Sequence, residues 1–430
     1  MAAPRSAKLP QEIVDEILDY LRDDKSALRA CALASHSFLH PAQKLIFVQV
    51  TLISPADNAT LDSHPRLSPA LFESISRSSL RICSYVRHLD ISDPEREWLT
   101  NQVQSTISKL LPRLMNLRAI TVHYGEYPHR GRVHRWARDF LSALVSAIHL
   151  PSVRYLELSE CPLALIGHGQ RIAHFALLEL TNQKFSRPSC AQTCHSKLVL
   201  HSLNLRSLPD DLDSDFVQNL RSVIDTTKIK RLFARGEDTI VGHFVLWPVL
   251  QDCARSLEEF VFSPCCETYE KEIADQDPID WSILTSLRYL TTTFGVASDL
   301  GDEEEAVLED IHWFLRALRQ LTSSNKCLEE LTIQANYAFA GLEIDLSHWN
   351  DINTMLLDRS RFPRLRKVAI QLGFYERMFK NDNDDQIIMA ELDEYVLQLR
   401  RNSKPSLGVT VSIHNPFKPL RPFLLPDLQI

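Results

Sequence analysis

The sequence predicts an α/β protein in two parts: a short N-terminal unit of three helices, then a long array in which strands and helices alternate. Two observations lead to this prediction. Over roughly the first 46 residues, apolar side chains recur every three to four positions, as they do along one face of an α-helix. From residue 86 onward, a short phrase of the form apolar-x-x-apolar-x-apolar returns repeatedly between segments with helical spacing.

The composition is that of a globular protein with a large core. The chain has 430 residues, a formal charge of −8, 44% hydrophobic and 24% charged residues. The mild acidity argues against a general nucleic-acid binder, and no apolar run reaches the roughly 18 residues of a membrane span. The N-terminus lacks the apolar region of a secretory signal. Nine cysteines without regular spacing favour reduced thiols, and therefore a cytoplasmic or nuclear protein.

The first predicted helix is carried by Ile13, Ile17 and Leu21, which recur every four residues. Pro10 suits the first turn, where its missing N–H has no intrahelical partner to lose. The second helix is predicted to follow Ser26 as its N-cap, and Pro41 is predicted to open the third.

Such a unit is close to the lower size limit for independent stability. It exposes more apolar surface than it can bury alone, which indicates that it docks on something. The alternative is that these are simply the first helices of a larger helical domain.

The strings LPQEIVDEILDYL and LRACALASHSF closely resemble an F-box, in particular those of fungal proteins. The matching residues are Leu9, Pro10, Glu12, Ile13, Ile17 and Leu21 in the first string and Leu28, Cys31, Leu33 and Phe38 in the second. Phe38 stands where the family usually has Trp, and DDKSAL replaces a common Asp-Leu pair. The resemblance implies that these residues, except Glu12, contact the Skp adaptor of a cullin–RING ubiquitin ligase, while the rest of the chain selects the substrate.

The recurring phrase predicts a series of short strands. It begins at Val86, Leu117, Val153, Leu200, Ile229, Leu257, Leu287, Leu328 and Leu365, with a weaker tenth copy at Leu407. Successive copies start 28 to 47 residues apart, and the alternation within each indicates a strand with one buried face. Helical spacing lies between them in the segments RWARDFLSALVSAIHL, SDFVQNLRSVID, EEEAVLEDIHWFLRALRQL and IIMAELDEYVLQL.

One strand and one helix per unit, repeated about nine times, is typical of a leucine-rich-repeat-like α/β solenoid, here with an irregular period. The rival interpretation is an ordinary α/β domain with a parallel sheet. The predicted organisation is therefore an F-box at residues 1–50, a connecting segment at 51–84 and a substrate-recognition solenoid at 85–430.

The third, fifth and seventh positions of each phrase are expected to form an inner face that touches the substrate. The candidate substrate-binding residues on this face are His123, Tyr155, Arg206, Arg231, Arg235 and Tyr289. The three arginines are predicted to form a basic cluster that can read an acidic or phosphorylated motif. The alternative is a solvated strand face without a ligand.

The sequence offers little support for catalysis. Cys190, Cys194 and His195 are spaced as the start of a zinc site, but no second pair follows at finger-like spacing, so reduced thiols are favoured. No serine nucleophile motif or zinc-protease motif is present.

We therefore expect a non-enzymatic protein without a cofactor. Its expected partners are the Skp adaptor, a cullin scaffold and an unknown protein substrate, with no nucleic acid and no membrane. Two alternatives stay open: an F-box scaffold acting outside a ligase, and a metal-dependent hydrolase built on the Cys/His cluster.

Overall fold

The chain is described by a computed structural model that falls into two compact units, divided between Phe175 and Ala176. The residues that the structure describes are 9–53, 66–93, 99–124, 137–148, 150–159, 174–179, 197–206, 215–235, 239–263, 280–297, 314–321, 324–338, 351–352, 354–356, 358, 360–374 and 408–414.

The first unit begins with three helices, as predicted. They are α1 (Gln11–Tyr20), α2 (Lys25–Ala34) and α3 (His36–Ile46). Their shared core consists of Val14, Leu18, Leu28, Ala42 and Ile46. Lys25 ties the α1–α2 turn to the end of α3, because its buried ammonium donates to the carbonyls of Arg22 at 2.9 Å and Leu45 at 3.1 Å.

Two helix starts differ from the prediction. Asp24, not Ser26, caps α2, and its carboxylate accepts a hydrogen bond from the Ala27 N–H at 2.9 Å. Ser35 caps α3, so Pro41 lies inside this helix instead of opening it. Proline removes one helical hydrogen bond, and the burial of Ala42 and Ile46 directly after it offsets that cost.

The sheet of the first unit is parallel and has the strand order β2-β1-β3-β4-β5. Its strands are β1 (Gln49–Leu52), β2 (Arg66–Leu67), β3 (His88–Asp93), β4 (Ala119–Tyr124) and β5 (Tyr155–Ser159). The accompanying helices are α4 (Pro69–Ser78), α5 (Leu80–Tyr85), α6 (Asn101–Leu110), a 3₁₀ turn at Leu111–Arg113 and α7 (Arg138–Ile148). The segment 51–84, predicted to connect the two parts, contains the end of β1, all of β2 and α4, and most of α5.

The second unit contains a parallel sheet of order β6-β8-β10-β11-β12-β13-β14-β15. Its strands are β6 (His174–Glu179, from Ala176 onward), β7 (Leu198–Val199), β8 (Ser202–Arg206), β9 (Ile224–Asp225), β10 (Arg231–Arg235), β11 (Glu259–Ser263), β12 (Tyr289–Ala297), β13 (Glu330–Ala338), β14 (Lys367–Phe374) and β15 (Gly408–His414). β7 and β9 pair separately. The described helical segments include α8 (Asp215–Val223), α9 (Thr239–Cys253), residues 314–321, 351–352 and 354–356, and the 3₁₀ turns Thr226–Lys228 and Trp281–Ile283.

All ten copies of the recurring phrase form parallel strands. Where the first nine copies pair with one another, their registers match position by position. The tenth copy is shifted by one residue, because the third position Lys367 pairs with the second position Gly408. The backbone repeats one hydrogen-bond pattern: the carbonyl at the second position of a phrase accepts from the second and third residues of the next. Arg87 O, for example, accepts from Arg118 N at 2.7 Å and Ala119 N at 3.0 Å. In the second unit, Glu258 O receives the N–H groups of the next strand in the same way. The fold class is therefore mixed α/β with parallel sheets.

The predicted helical stripes are confirmed where the structure describes them. Phe140, Leu144 and Ile148 are buried on α7, and Leu315 and Leu318 are buried in residues 314–321. Leu220 is buried on α8, but Ile224 belongs to β9 instead of the helix. Trp136, Leu308, Ile311 and the segment 388–399 lie outside the described residues.

A buried asparagine links two neighbouring strand entries in the second unit. The Asn325 amide donates to the carbonyls of Leu284 at 2.5 Å and Leu287 at 3.0 Å. Its oxygen accepts from the N–H groups of Cys327 at 2.8 Å and Leu328 at 2.9 Å. One side chain therefore satisfies four backbone groups of the segments that lead into β12 and β13.

Candidate functional site

Helix α1 carries two apolar faces. Val14 and Leu18 point into the core of the first unit and are 0% and 1% exposed. Ile13 and Ile17, one position earlier in each case, remain 42% and 37% exposed. A surface helix needs only one apolar stripe to pack on its own protein, and the second stripe remains exposed beside the residues that the structure describes.

The exposed face continues beyond these two isoleucines. Tyr20 follows the same helical spacing, and its side chain is almost fully exposed. Leu9, two residues before α1 begins, is also exposed. We call Leu9, Ile13, Ile17 and Tyr20 the α1 stripe. Tyr20 was missed by the sequence prediction, although its position three residues after Ile17 is the signal that places it on this face.

The remaining predicted adaptor contacts divide into two groups. Pro10 precedes α1 and is exposed, and Leu33 on α2 is 88% exposed, so both have surface available for a partner. Leu28 is fully buried, while Leu21, Cys31 and Phe38 are partly buried and pack against the core. Leu28 therefore has no surface with which to touch an adaptor, and its contribution is to hold the helices together.

The six predicted substrate-binding residues are divided between the two units. His123 and Tyr155 belong to β4 and β5 of the first unit. Arg206, Arg231, Arg235 and Tyr289 belong to β8, β10 and β12 of the second. All six occupy third or seventh positions of their phrases, as predicted.

Strand register pairs two of the three arginines that were predicted to form a basic cluster. Arg206 and Arg235 are direct register partners on adjacent strands. Arg231 lies four residues before Arg235, roughly 13 Å along a strand. It approaches Glu259 at 3.4 Å and therefore belongs to a different row. Tyr289 lies in that row too, with the Arg288 guanidinium 5.2 Å from its ring centroid.

Several fifth-position side chains are buried. Thr121, Asn204 and Phe233 are 3%, 2% and 6% exposed. Gln334, at a seventh position, is also buried and donates to the Gln371 amide oxygen at 2.5 Å. Other fifth positions, such as Asp90 and Glu157, are partly exposed, so the accessible surface of this face is interrupted.

In the first unit the same face carries a polar network around Tyr155. The Tyr155 hydroxyl donates to Glu157 Oε2 at 2.6 Å, and the Thr121 hydroxyl lies 3.4 Å from the same oxygen. His88 Nε2 lies 3.1 Å from the Thr121 hydroxyl. Burial, followed by the neighbouring negative charge of Glu157, raises the pKa of Tyr155.

We expect Tyr155 to stay protonated when ordinary tyrosines ionise near pH 10. Because its folded pKa is raised, its contribution to stability is complete below the unfolded pKa and is lost as the pH rises above it. Tyr155→Phe should cost about 1 kcal/mol at neutral pH through the lost hydrogen bond to Glu157. It should also reduce the loss of stability above pH 10.

Chemical denaturation of wild type and Tyr155→Phe from pH 7 to pH 11 measures how the free energy of unfolding depends on pH. Tyr20→Phe, at an exposed tyrosine, is the control. Parallel pH profiles for wild type and Tyr155→Phe would contradict the assignment.

Within the described part of the chain, no helix combines the length and apolar character needed to cross a bilayer. Among those same residues, no three His, Cys, Asp or Glu side chains are grouped to hold a metal ion. The predicted cluster of Cys190, Cys194 and His195 lies outside the described residues. The described cysteines Cys31, Cys83, Cys253 and Cys327 are free thiols. No protein-family model matches the chain, and a search of curated proteins finds no significant relative.

Proposed function

We propose that this chain is the non-catalytic substrate-recognition subunit of a Skp–cullin–F-box ubiquitin ligase. In this proposal the N-terminal helices are the F-box, and the strand–helix array is a leucine-rich-repeat-like solenoid that holds the target. The cullin and the other ligase subunits supply the chemistry.

The observation that carries the proposal is the second apolar face of α1. Ile13 and Ile17 are exposed on a helix whose other face is already packed, and Leu33 exposes a further aliphatic side chain on α2. Exposed aliphatic and aromatic side chains that fill a partner's pockets are the usual anchors of protein interfaces. The F-box resemblance supplies the identity of the partner, because its apolar positions include these three residues.

The proposed mechanism is proximity. The α1 stripe and Leu33 tether the chain to the adaptor, while the array binds the target. Holding both on one scaffold raises the effective concentration of the target near the ubiquitin-transferring subunit. No acid, base or nucleophile of this chain is needed for that step.

The direct experiment is a pull-down of the purified full chain with purified Skp adaptor. We expect wild type to bind, and Ile13→Asp/Ile17→Asp to lose at least about 100-fold in affinity, since two buried carboxylates would replace two apolar anchors. Met115→Asp is the matched control, because Met115 is 62% exposed but lies far along the chain before β4. Circular dichroism establishes that all three proteins are folded.

Adaptor binding that survives in the double variant, or a folded wild type that does not bind, contradicts the proposal. A scaffold acting outside a ligase is distinguished by adding the cullin. If the adaptor complex forms but recruits no cullin and transfers no ubiquitin to a bound target, the scaffold function is correct.

A further inference from the structure

Three arginines form a row across the first unit's sheet, at the edge where the strands begin. Arg87, Arg118 and Arg154 occupy the second position of three successive phrases. Two backbone hydrogen bonds place them in register: Arg118 N donates to Arg87 O at 2.7 Å, and Arg154 N donates to Arg118 O at 2.9 Å. Neighbouring strands are about 4.8 Å apart, so the Cα atoms of the three arginines span about 10 Å. We call these residues the arginine row.

The equivalent positions at the starts of β10 to β14 in the second unit carry alternating charges. Lys230, Glu258, Arg288, Glu329 and Arg366 follow one another on adjacent strands. The ammonium of Lys230 lies 2.8 Å from a Glu258 oxygen, and Arg288 lies 2.9 Å from a Glu329 oxygen. At these second positions, the carboxylates of Glu258 and Glu329 therefore neutralise the positive charges of Lys230 and Arg288.

The arginine row lacks this neutralisation. Arg118 and Arg154 are exposed and Arg87 is partly exposed. In the described part of the first unit, none of the three side chains makes a hydrogen bond or an ion pair. Like charges on directly adjacent strands repel each other, so this arrangement is unfavourable for the isolated fold. It leaves three guanidinium groups with their donors available to another molecule.

We infer that the arginine row binds an acidic segment of a partner protein, one whose Asp and Glu side chains supply the missing carboxylates. Guanidinium groups bind carboxylates bidentately, and here all three positions are Arg and none is Lys. The row is separate from the α1 stripe and from the six residues predicted to bind substrate. The inference therefore goes beyond the proposed ligase role and does not depend on it.

The test measures binding of a short fluorescein-labelled oligoglutamate peptide to the full chain by fluorescence anisotropy at low ionic strength. An oligoglutamine peptide and a labelled DNA duplex are the comparison probes. We expect the oligoglutamate peptide to bind, to be weakened by added salt, and to lose about tenfold or more in affinity in Arg118→Glu. Arg118→Lys keeps the charge but loses the bidentate geometry, so it should lose only a few-fold.

Arg364→Glu is the matched control, because Arg364 is exposed and makes no side-chain bond in the described part of the second unit. Arg364→Glu changes the net charge by the same amount and should leave binding of the oligoglutamate peptide intact. The melting temperature of Arg118→Glu should not fall, because a carboxylate between two guanidinium groups relieves their repulsion. Equal binding by wild type and Arg118→Glu, equal binding of the two peptides, or row-dependent preference for the duplex would overturn the inference.

Discussion

Asn325→Ala should lower the free energy of unfolding by about 3 to 4 kcal/mol. The substitution leaves two carbonyls and two N–H groups without the side chain that satisfies them, in a place where Asn325 itself has no exposed surface. Buried backbone groups left without partners cost about 1 to 3 kcal/mol each, partly recovered where water can enter. The segments leading into β12 and β13 would lose their common support.

Asn116→Ala provides the matched control. Asn116 also leads into a strand and bonds to the neighbouring segment, but through one exposed contact to Ser84 O at 2.7 Å. We expect it to cost about 0.5 to 1 kcal/mol. Urea denaturation followed by circular dichroism compares the two variants with wild type. Equal effects would mean that the four contacts of Asn325 do not stabilise the fold as the structure indicates.

Leu28→Ala should destabilise the N-terminal helices by about 3 kcal/mol. Leu28 is fully buried at the centre of their small core, and truncation of such a leucine removes apolar contacts and leaves a cavity. Because the helices share few other buried side chains, we expect adaptor binding to weaken along with their stability.

Leu33→Ala is the contrasting variant. This leucine lies five residues later on the same helix but is 88% exposed, so its truncation should change stability by less than about 0.5 kcal/mol. If Leu33 touches the adaptor, affinity should fall while the melting temperature stays constant. A comparison of melting temperature and affinity for the two variants separates packing from contact, and a larger loss of stability in Leu33→Ala would contradict the assigned burial.

The strands could be predicted because their signal is local. Most phrases place apolar residues at their fourth and sixth positions, and pairs such as Leu89 and Ile91 on β3 are buried as that alternation requires. The prediction missed α9, whose apolar residues do not fall on a single stripe and which contains Pro248. It also missed β1, because the apolar run after Pro41 has no break at Phe47 where the helix ends.

The sites were harder to predict because they depend on strand register and on how deeply each side chain is buried. The spacing of Leu28 and Leu33 identifies both as apolar helix positions but does not say which one faces the core. Arg231 and Arg235 lie four residues apart on one strand, and strand pairing shows that Arg206 lies beside Arg235. The arginine row becomes visible only when the second positions of successive phrases are placed side by side.

The measurement that most directly tests the proposed function is a calorimetric titration of purified Skp adaptor into the folded full chain at several temperatures. We expect saturable one-to-one binding with a negative heat-capacity change, because the exposed apolar face of α1 becomes buried. We also expect Ile13→Asp/Ile17→Asp to remove the binding and Met115→Asp to leave it unchanged. Binding that is absent in wild type, or is unchanged in the double variant, would contradict the proposed function.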